Sequence, residues 1–325
     1  MGGKNITLQR KHEMKLTTKS AVTTKRVLVY GASKTGKSLL VGKLAEKYNL
    51  IWFDNEQGWS VLNQLPEEWK ERINIISVPD SRVYPIAVET WLKVIKGAKT
   101  SICAAHGKVD CAICKKDSLP FDTVELNTTP RDTIVVFDSL TQLTNSVISH
   151  ITKAQPDDYK LQLDDYGNLK FLIDKFLSQI QAANYNIVCI THEEMTVMED
   201  KKLKIVPSSG SSKSSAFTAK YFDEVVYAEL VNKKHRFGSG TDYSMTALTG
   251  SRSNVRLEDS KGEVSLLTMF APMETAIGIT ALTNTTSSNT NITSSPSITV
   301  PSNNNSTAAL TPAQIALANL RKLKT

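Results

Sequence analysis

Short apolar runs alternate along this chain with longer segments whose apolar residues recur every three or four positions. Runs of four to six residues rich in Val, Ile and Phe predict buried strands. They are Arg26–Tyr30, Leu50–Phe53, Ile73–Val78, Thr133–Phe137 and Asn186–Ile190. Because helical segments separate these strands, the pattern predicts an α/β fold with a mainly parallel central sheet.

The segments between the strands divide into helices and polar loops. Helices are predicted at Ser38–Tyr48, Pro85–Lys99, Leu140–Ile151, Asn168–Ala183 and Ser215–Phe222, and further strands at Glu224–Val231 and Tyr243–Leu248. Thr152–Asp165 is predicted to be a loop, and Met195–Ser215 a mobile loop that either contacts a polyanion or is merely solvated. Four side chains are expected on the turn between the last two strands: Lys233, Lys234, His235 and Arg236.

The two ends of the chain differ in composition from its middle. Residues 1–25 carry six lysines or arginines and one acid, so this basic arm either contacts nucleic acid or is a solvated leader. Residues 275–310 are rich in Ser, Thr and Asn and contain no charged side chain, which predicts a disordered linker. Residues 311–325 predict a short basic amphipathic helix that docks on a partner protein or frays. The predicted globular domain is therefore 26–274.

Composition narrows the class of protein. The chain has 325 residues and a net charge of +7, which is compatible with an acidic partner but does not identify one. No apolar run approaches the roughly 18 residues of a membrane span, and the N-terminus lacks the apolar core of a signal peptide. We therefore expect a cytoplasmic protein that does not bind a membrane.

The first strand runs into the first helix through residues 31–38, which match the pattern G-x-x-x-x-G-K-S. This is the P-loop pattern, in which backbone N–H groups and the helix N-terminus bind anionic phosphates. The lysine would reach the β- and γ-phosphates and the serine hydroxyl would bind Mg²⁺. The alternative is a glycine turn before an ordinary helix. The flanking strand and helix favour an ATP and Mg²⁺ site formed by Gly31, Ala32, Ser33, Lys34, Thr35, Gly36, Lys37, Ser38 and Leu39.

Three other strands are followed by polar side chains at the edge where α/β proteins bind ligands. Asp138 after the fourth strand matches the Walker B pattern and would hold Mg²⁺ through water. Because Ser139 follows it, the Asp-Glu pair of the AAA+ ATPases is absent and the base must come from elsewhere. Glu56 is either that general base or an acid that stabilises a helix start. His192 is either a sensor of the γ-phosphate or an ordinary surface histidine.

A second group of chemical residues lies in one short segment. Cys103, His106, Cys111 and Cys114 form the pattern C-x2-H-x4-C-x2-C, and thiolates with imidazole suit Zn²⁺. Four protein ligands leave no open position, so the predicted site is structural. Residues 101–118 are therefore predicted to be a small zinc-knuckle insertion. The alternative is three free thiols and a surface histidine.

The order of these motifs resembles the RecA-like ATPases. The segment Asp54-Asn55-Glu56 is similar to the family motif that supplies the catalytic glutamate. The segment after His192, closing with Gly210-Ser211-Ser212-Lys213, is similar to the family's second DNA-binding loop. The runs 164–167 and 190–194 look like those of the phage nucleotide-binding proteins of the Sak type, which are associated with single-strand annealing and recombination. The resemblance covers roughly residues 26–272.

The resemblance implies a P-loop NTPase core of RecA-like type and a DNA-dependent ATPase that binds single-stranded DNA, in the host cytoplasm if the protein is phage-encoded. It implies that Glu56 is the catalytic glutamate. Lys37 and His192 are the other predicted catalytic residues, and a homo-oligomer is expected. A docked tail helix would meet a single-stranded-DNA-binding protein. The alternative function is a nucleotide-dependent switch or assembly ATPase that acts on a protein partner.

Overall fold

The computed structural model describes residues 24–198, 201–240, 246–254, 257 and 263–270. The predictions for residues 1–23 of the basic arm, for the linker 275–310 and for the terminal helix 311–325 lie outside the described residues.

Strands and helices alternate over most of this length. The strands are β1 (Arg26–Gly31), β2 (Asn49–Asp54), β3 (Ile73–Ser77), β4 (Thr100–Cys103), β5 (Phe121–Val124), β6 (Thr133–Asp138), β7 (Asn186–Thr191), β8 (Glu193–Val197), β9 (Leu203–Pro207), β10 (Glu224–Val231), β11 (Lys234–Ser239) and β12 (Gly250–Ser251). The α-helices are α1 (Lys37–Gly42), α2 (Glu67–Lys70), α3 (Ile86–Val94), α4 (Ala112–Lys116), α5 (Leu140–Thr152), α6 (Leu163–Ala182) and α7 (Ser212–Ser215). Short 3₁₀ helices cover Lys43–Glu46, Trp59–Gln64, Leu126–Thr128 and Thr218–Tyr221.

The central sheet is mainly parallel, as the sequence predicts. Its strand order is β11-β10-β1-β7-β6-β2-β3; β10 through β3 run parallel, and β11 and β12 pair antiparallel with β10. In this order β7 lies between β1 and β6. The carboxyl ends of β1, β7, β6 and β2 therefore meet at one edge, where Asp54 lies in register with Asp138 and Tyr30 with Thr191.

Apolar layers cover both faces of this sheet, which explains why its strands lack polar alternation. On one face α3, α5 and α6 pack over a cluster that includes Trp91, Phe137 and Phe176. The ring centroid of Phe137 lies 5.0 Å from that of Trp91 and 5.3 Å from that of Phe176. On the other face α1 packs near Trp52 together with residues 266–270. Full burial of each such side chain contributes about 2–3 kcal/mol.

Three helix boundaries differ from the prediction by five or more residues, and one of them is the end of α3, at Val94 rather than Lys99. The α-helical hydrogen bonding of α1 stops at Gly42 and continues as a 3₁₀ turn over Lys43–Glu46. Helix α6 begins five residues before its predicted start, at Leu163. A capping box explains this early start, because Asp165 accepts from the backbone of Gln162 and the Gln162 side chain accepts in return.

The segment Met195–Ser215, predicted to be a loop, is mostly ordered, so that prediction is wrong. Strands β8 and β9 form an antiparallel hairpin in which Glu193 pairs with Pro207 and Val197 with Leu203. No buried apolar run marks these strands in the sequence, because most of their residues are at least partly exposed. Helix α7 and a 3₁₀ turn replace the predicted helix Ser215–Phe222.

The basic cluster near residue 234 also differs from the prediction. Lys234, His235 and Arg236 lie in β11, while Lys233 is in the turn with a left-handed φ of 62°. Of the predicted strand Tyr243–Leu248, residues 243–245 lie outside the described residues, and Ala247 makes an isolated bridge to Ile205. Among the described residues, no helix combines the length and the apolar character that crossing a membrane requires.

Candidate functional site

The loop after β1 has the backbone geometry of a phosphate cradle. Gly36 has a left-handed φ of 87° and is followed by the first residue of α1. Gly31 is required for close packing, because a Cβ at this position would lie 2.0 Å from the Ala228 carbonyl oxygen of β10. The three residues after Gly31 are exposed to solvent. Exposed loop amides in such a conformation form a concave site for anions.

Lys37 is folded back onto this loop. Its ammonium donates hydrogen bonds to the carbonyl oxygens of Gly31, at 2.9 Å, and Ala32, at 2.7 Å. Burial lowers the pKa of Lys37, and the negative charges of Glu56 and Asp138 oppose that shift. The cation thus lies within the phosphate loop, beside the carboxylates of the neighbouring strand ends.

Ser38 and Asp138 meet across the sheet edge. The Ser38 hydroxyl donates to Oδ2 of Asp138 over 3.1 Å. Asp138 is 2 % exposed, and burial, followed by the charges of Glu56 and Asp54, raises its pKa to about 8. Its other oxygen, Oδ1, and Oδ2 of Asp54 have no hydrogen-bond partner among the described residues. A serine hydroxyl beside unpaired buried carboxylate oxygens is a donor set that fits Mg²⁺.

Glu56 and His192 form a pair at the centre of this edge. The Glu56 Oε1 lies 3.2 Å from Nε2 of His192 and also accepts a hydrogen bond from the Ser139 hydroxyl. Burial by itself raises the pKa of Glu56, but the hydrogen bonds from His192 and Ser139 outweigh it, and the pKa is lowered. Glu56 is therefore an ionised carboxylate held in one orientation, which is what a general base requires.

Backbone contacts place these side chains. The Asn55 N–H donates to the Asp138 carbonyl oxygen over 2.8 Å, and the Asn55 side chain accepts from the Ser139 N–H over 2.7 Å. The Glu56 N–H donates to Asp54 over 3.0 Å. The ends of β2 and β6 are thereby joined, and Glu56 lies beside Ser139.

A second set of hydrogen bonds joins His192 to the β8–β9 hairpin. The His192 N–H donates to the Thr141 hydroxyl over 2.9 Å, and that hydroxyl is bonded to the Thr191 hydroxyl at 2.9 Å. The Thr191 hydroxyl donates to the Ser208 carbonyl oxygen over 2.6 Å, and the Ser208 N–H donates back to His192 over 2.8 Å. The entry and exit of the hairpin are thus fastened to the residue that contacts Glu56.

The hairpin and α7 enclose a cleft of about 450 Å³. Its lining combines cations and apolar groups, among them Val197, Lys204, Lys213 and Phe217. The Lys220 ammonium lies 4.8 Å from the centroid of the neighbouring Tyr221 ring. The cleft therefore places ammonium groups beside an exposed aromatic ring, that of Phe217.

The cysteine and histidine residues lie in a separate part of the fold. The ligand atoms of Cys103, His106, Cys111 and Cys114 all lie within 4.8 Å of one another, so the group can hold a metal ion.

The structure thus places the candidate residues in two groups. The P-loop, Asp138, Glu56 and His192 share one sheet edge, and the Cys/His residues lie beyond β3. Sequence reasoning missed the positioning contacts of Asn55 and Thr141, although both follow predicted strand ends. It also missed His235, whose Nδ1 would lie 3.1 Å from a Cβ at Gly36. No pattern in the sequence predicts this proximity. Strand β11 is brought near the P-loop because it pairs with β10, which in turn pairs with β1.

The match to a known protein family agrees with a nucleotide-binding domain. Residues 23–255 match the family model of the AAA domain. A search of the curated proteins gives no match. Among solved structures, the chain is similar to a prototypical ATPase from the type III secretion system of pathogenic bacteria, with 12% sequence identity and a TM-score of 0.37 over 64% of this chain. The similarity spans 52% of the length of that ATPase.

Proposed function

The chain belongs to the AAA domain family and has a P-loop ATPase domain, and from this premise we propose that it is a RecA-like ATPase that binds single-stranded DNA and promotes annealing or strand exchange. One observation carries the proposal: the Glu56 carboxylate contacts His192, and His192 lies at the base of a lysine-bearing hairpin. This pair of side chains therefore links the proposed nucleotide site to the proposed DNA-binding hairpin.

The nucleotide half of the proposal assigns roles to residues of the sheet edge. The loop amides of residues 32–36 bind the phosphates, and Lys37 exchanges its two carbonyl acceptors for phosphate oxygens. Ser38 and Asp138 would hold Mg²⁺, the aspartate through water, and the ion supplies positive charge to the phosphates. The unpaired oxygen of Asp138 supports this assignment.

Glu56 takes the part of general base in hydrolysis. Its carboxylate orients a water molecule and accepts a proton from it as the water oxygen bonds to the γ-phosphorus. The bond from the γ-phosphorus to the bridging oxygen breaks, and ADP leaves. Ser139 and His192 fix the orientation of Glu56 through the hydrogen bonds described above. The lowered pKa of Glu56 keeps it ionised at neutral pH.

The DNA half of the proposal rests on the hairpin cleft. Lys204 and Lys213 line it and would neutralise backbone phosphates, while Phe217 offers a face for base stacking. A change in the Glu56–His192 contact on ATP binding would shift the hairpin, because Ser208 donates its N–H to the His192 carbonyl oxygen and accepts from the Thr191 hydroxyl. Homo-oligomer formation, and contact of residues 311–325 with a single-stranded-DNA-binding protein, complete the proposal.

The test is ATP turnover with and without single-stranded DNA, measured at low and at high salt. We expect DNA to stimulate turnover and salt to abolish that stimulation, since released counterions drive phosphate binding. The double substitution Lys204→Ala with Lys213→Ala should reduce the slope of log affinity against log salt by about 2. Lys99→Ala is the matched control and should leave the slope unchanged, because Lys99 is exposed and does not line the hairpin cleft.

The second candidate function is a nucleotide-dependent switch or assembly ATPase that acts on a protein. The observation that favours it is apolar exposure on the hairpin, where Met195 is 67% and Leu203 57% exposed. An ATP turnover rate that is unchanged by single-stranded DNA, together with no DNA bound at low salt, would support this function and reject the DNA-binding function.

A further inference from the structure

The insertion between α3 and β6 is built around the Cys/His group. Strands β4 and β5 pair antiparallel from Thr100↔Val124 to Cys103↔Phe121, and α4 lies between them in sequence. Cys103 ends β4, Cys111 precedes α4, and Cys114 lies within α4. Residues 100–124 are named here the Cys/His insertion.

The ligand atoms already have the spacing of a tetrahedral metal site. The His106 Nδ1 lies 3.1 Å from the Cys114 sulfur, 3.7 Å from Cys111 and 3.8 Å from Cys103. Zinc bonds of about 2.3 Å to sulfur and 2.0–2.1 Å to nitrogen, at tetrahedral angles, separate sulfur from nitrogen by about 3.6 Å. The three distances lie on either side of that value.

Few apolar side chains pack around the ligand group of the Cys/His insertion. The three cysteines are buried, all are free thiols, and the cluster they form includes one other apolar residue, the partly buried Phe121. The His106 imidazole lies among these thiols. A metal bound to four such groups would take the place of an apolar core.

We propose that Cys103, His106, Cys111 and Cys114 bind one Zn²⁺, and that this ion fastens the Cys/His insertion to the end of β3. Three thiolates and one imidazole favour zinc over the harder cations, and four protein ligands make the site structural. Lys108, Lys115 and Lys116 lie in the same segment and offset the negative charge of a three-thiolate site. The proposal is independent of the ATPase and DNA-binding functions above.

The contact with β3 follows from the turn next to the histidine ligand. Gly107 has a φ of 64°, and a Cβ there would lie 2.5 Å from the Ser77 carbonyl oxygen and 2.7 Å from Val78 Cα. The Gly107 carbonyl oxygen accepts from the Thr90 hydroxyl of α3 over 2.8 Å. The turn that carries His106 is therefore pressed against β3 and α3, and the metal would fix it there.

The same arrangement forms one wall of a cavity of about 700 Å³. Its lining includes His106, Cys111 and Ile113 of the Cys/His insertion, and Val83 and Tyr84 of the segment after β3. Loss of the metal is expected to loosen this wall, and the P-loop, which lies on β1, should not be affected.

The test begins with the full chain, purified under reducing conditions, and measures zinc by elemental analysis. We expect about one zinc per chain. Cys114→Ser should lose the metal, whereas His106→Cys, which keeps four ligands, should retain it. Cys189→Ala is the matched control, because Cys189 is a buried thiol of β7 outside the group and its removal should leave zinc content unchanged.

A second measurement covers the case in which Cys114→Ser does not fold. Zinc is stripped from the wild-type chain and replaced with Co²⁺, and the visible spectrum should show tetrahedral cobalt–thiolate bands. Hydrogen exchange of residues 79–86 should quicken in the stripped protein by at least about tenfold and return to its former rate when zinc is restored. Nucleotide binding, measured alongside, should not change, so failure here is distinguishable from failure of the ATPase assignment.

Three results would overturn the proposal. They are zinc content near zero in folded protein that takes up neither Zn²⁺ nor Co²⁺, zinc retained in full by Cys114→Ser, and hydrogen exchange of residues 79–86 that is identical with and without metal.

Discussion

The substitution Glu56→Gln tests the centre of the site with little change in shape. The amide oxygen can still accept from Ser139 and His192, so the hydrogen bonds that orient the side chain are kept. What is lost is the negative charge and the capacity to accept a proton from water. The fold should survive, with a loss of about 1 kcal/mol or less in unfolding free energy, because Glu56 is a quarter exposed.

The expected effect on turnover is much larger. A positioned general base contributes about 10²–10⁴-fold in rate, equivalent to about 3–5 kcal/mol of barrier. Nucleotide affinity should stay within about threefold, since the phosphates are bound by the loop amides and Lys37. The kcat is therefore expected to fall about a hundredfold or more while the Kd for ATP is preserved.

The assay pairs steady-state ATP turnover with fluorescent-nucleotide binding and thermal unfolding of the same preparation. Glu194→Gln is the matched control, because Glu194 is a half-buried acid of β8 near the same edge and its Oε1 has no hydrogen-bond partner among the described residues. It removes one negative charge without touching Glu56. If Glu56→Gln turns over ATP within about threefold of wild type while binding it normally, Glu56 is not the base.

Other predictions concern the phosphate loop and its packing. Lys37→Ala should weaken ATP binding by about 10–100-fold, because a charged hydrogen bond to phosphate contributes about 1.5–3 kcal/mol; a Kd equal to that of wild type in the fluorescence assay would contradict its role. Asp138→Asn should raise the Mg²⁺ concentration needed for half-maximal turnover, and a magnesium titration superimposable on that of wild type would reject the metal assignment. Gly31→Ala should destabilise the fold by about 3 kcal/mol in urea unfolding, because its Cβ would lie 2.0 Å from the Ala228 oxygen. Gly167→Ala, where a Cβ meets nothing within 4 Å in helix α6, should instead stabilise by up to about 1 kcal/mol, and equal destabilisation by both would refute the packing argument.

Local patterns predicted most of the central sheet. Runs of Val and Ile identify β1, β2, β3, β6 and β7 within one or two residues, because strands buried on both faces need continuous apolar sequence. The β8–β9 hairpin was missed for the opposite reason. Most residues of its two strands are at least partly exposed, so cross-strand pairing rather than burial holds them, and pairing partners cannot be identified from one strand alone.

The sequence by itself determined the chemistry of this protein: a P-loop, carboxylates after strand ends, and four zinc-type ligands within twelve positions. These follow from residue type and short spacing, which depend on the nearby backbone. Only the tertiary structure decided which of these groups meet. Because β7 pairs between β1 and β6, His192 emerges beside Glu56, which lies 136 positions earlier in the chain. Strand order is set by packing across the whole sheet, so no local pattern could have placed that contact.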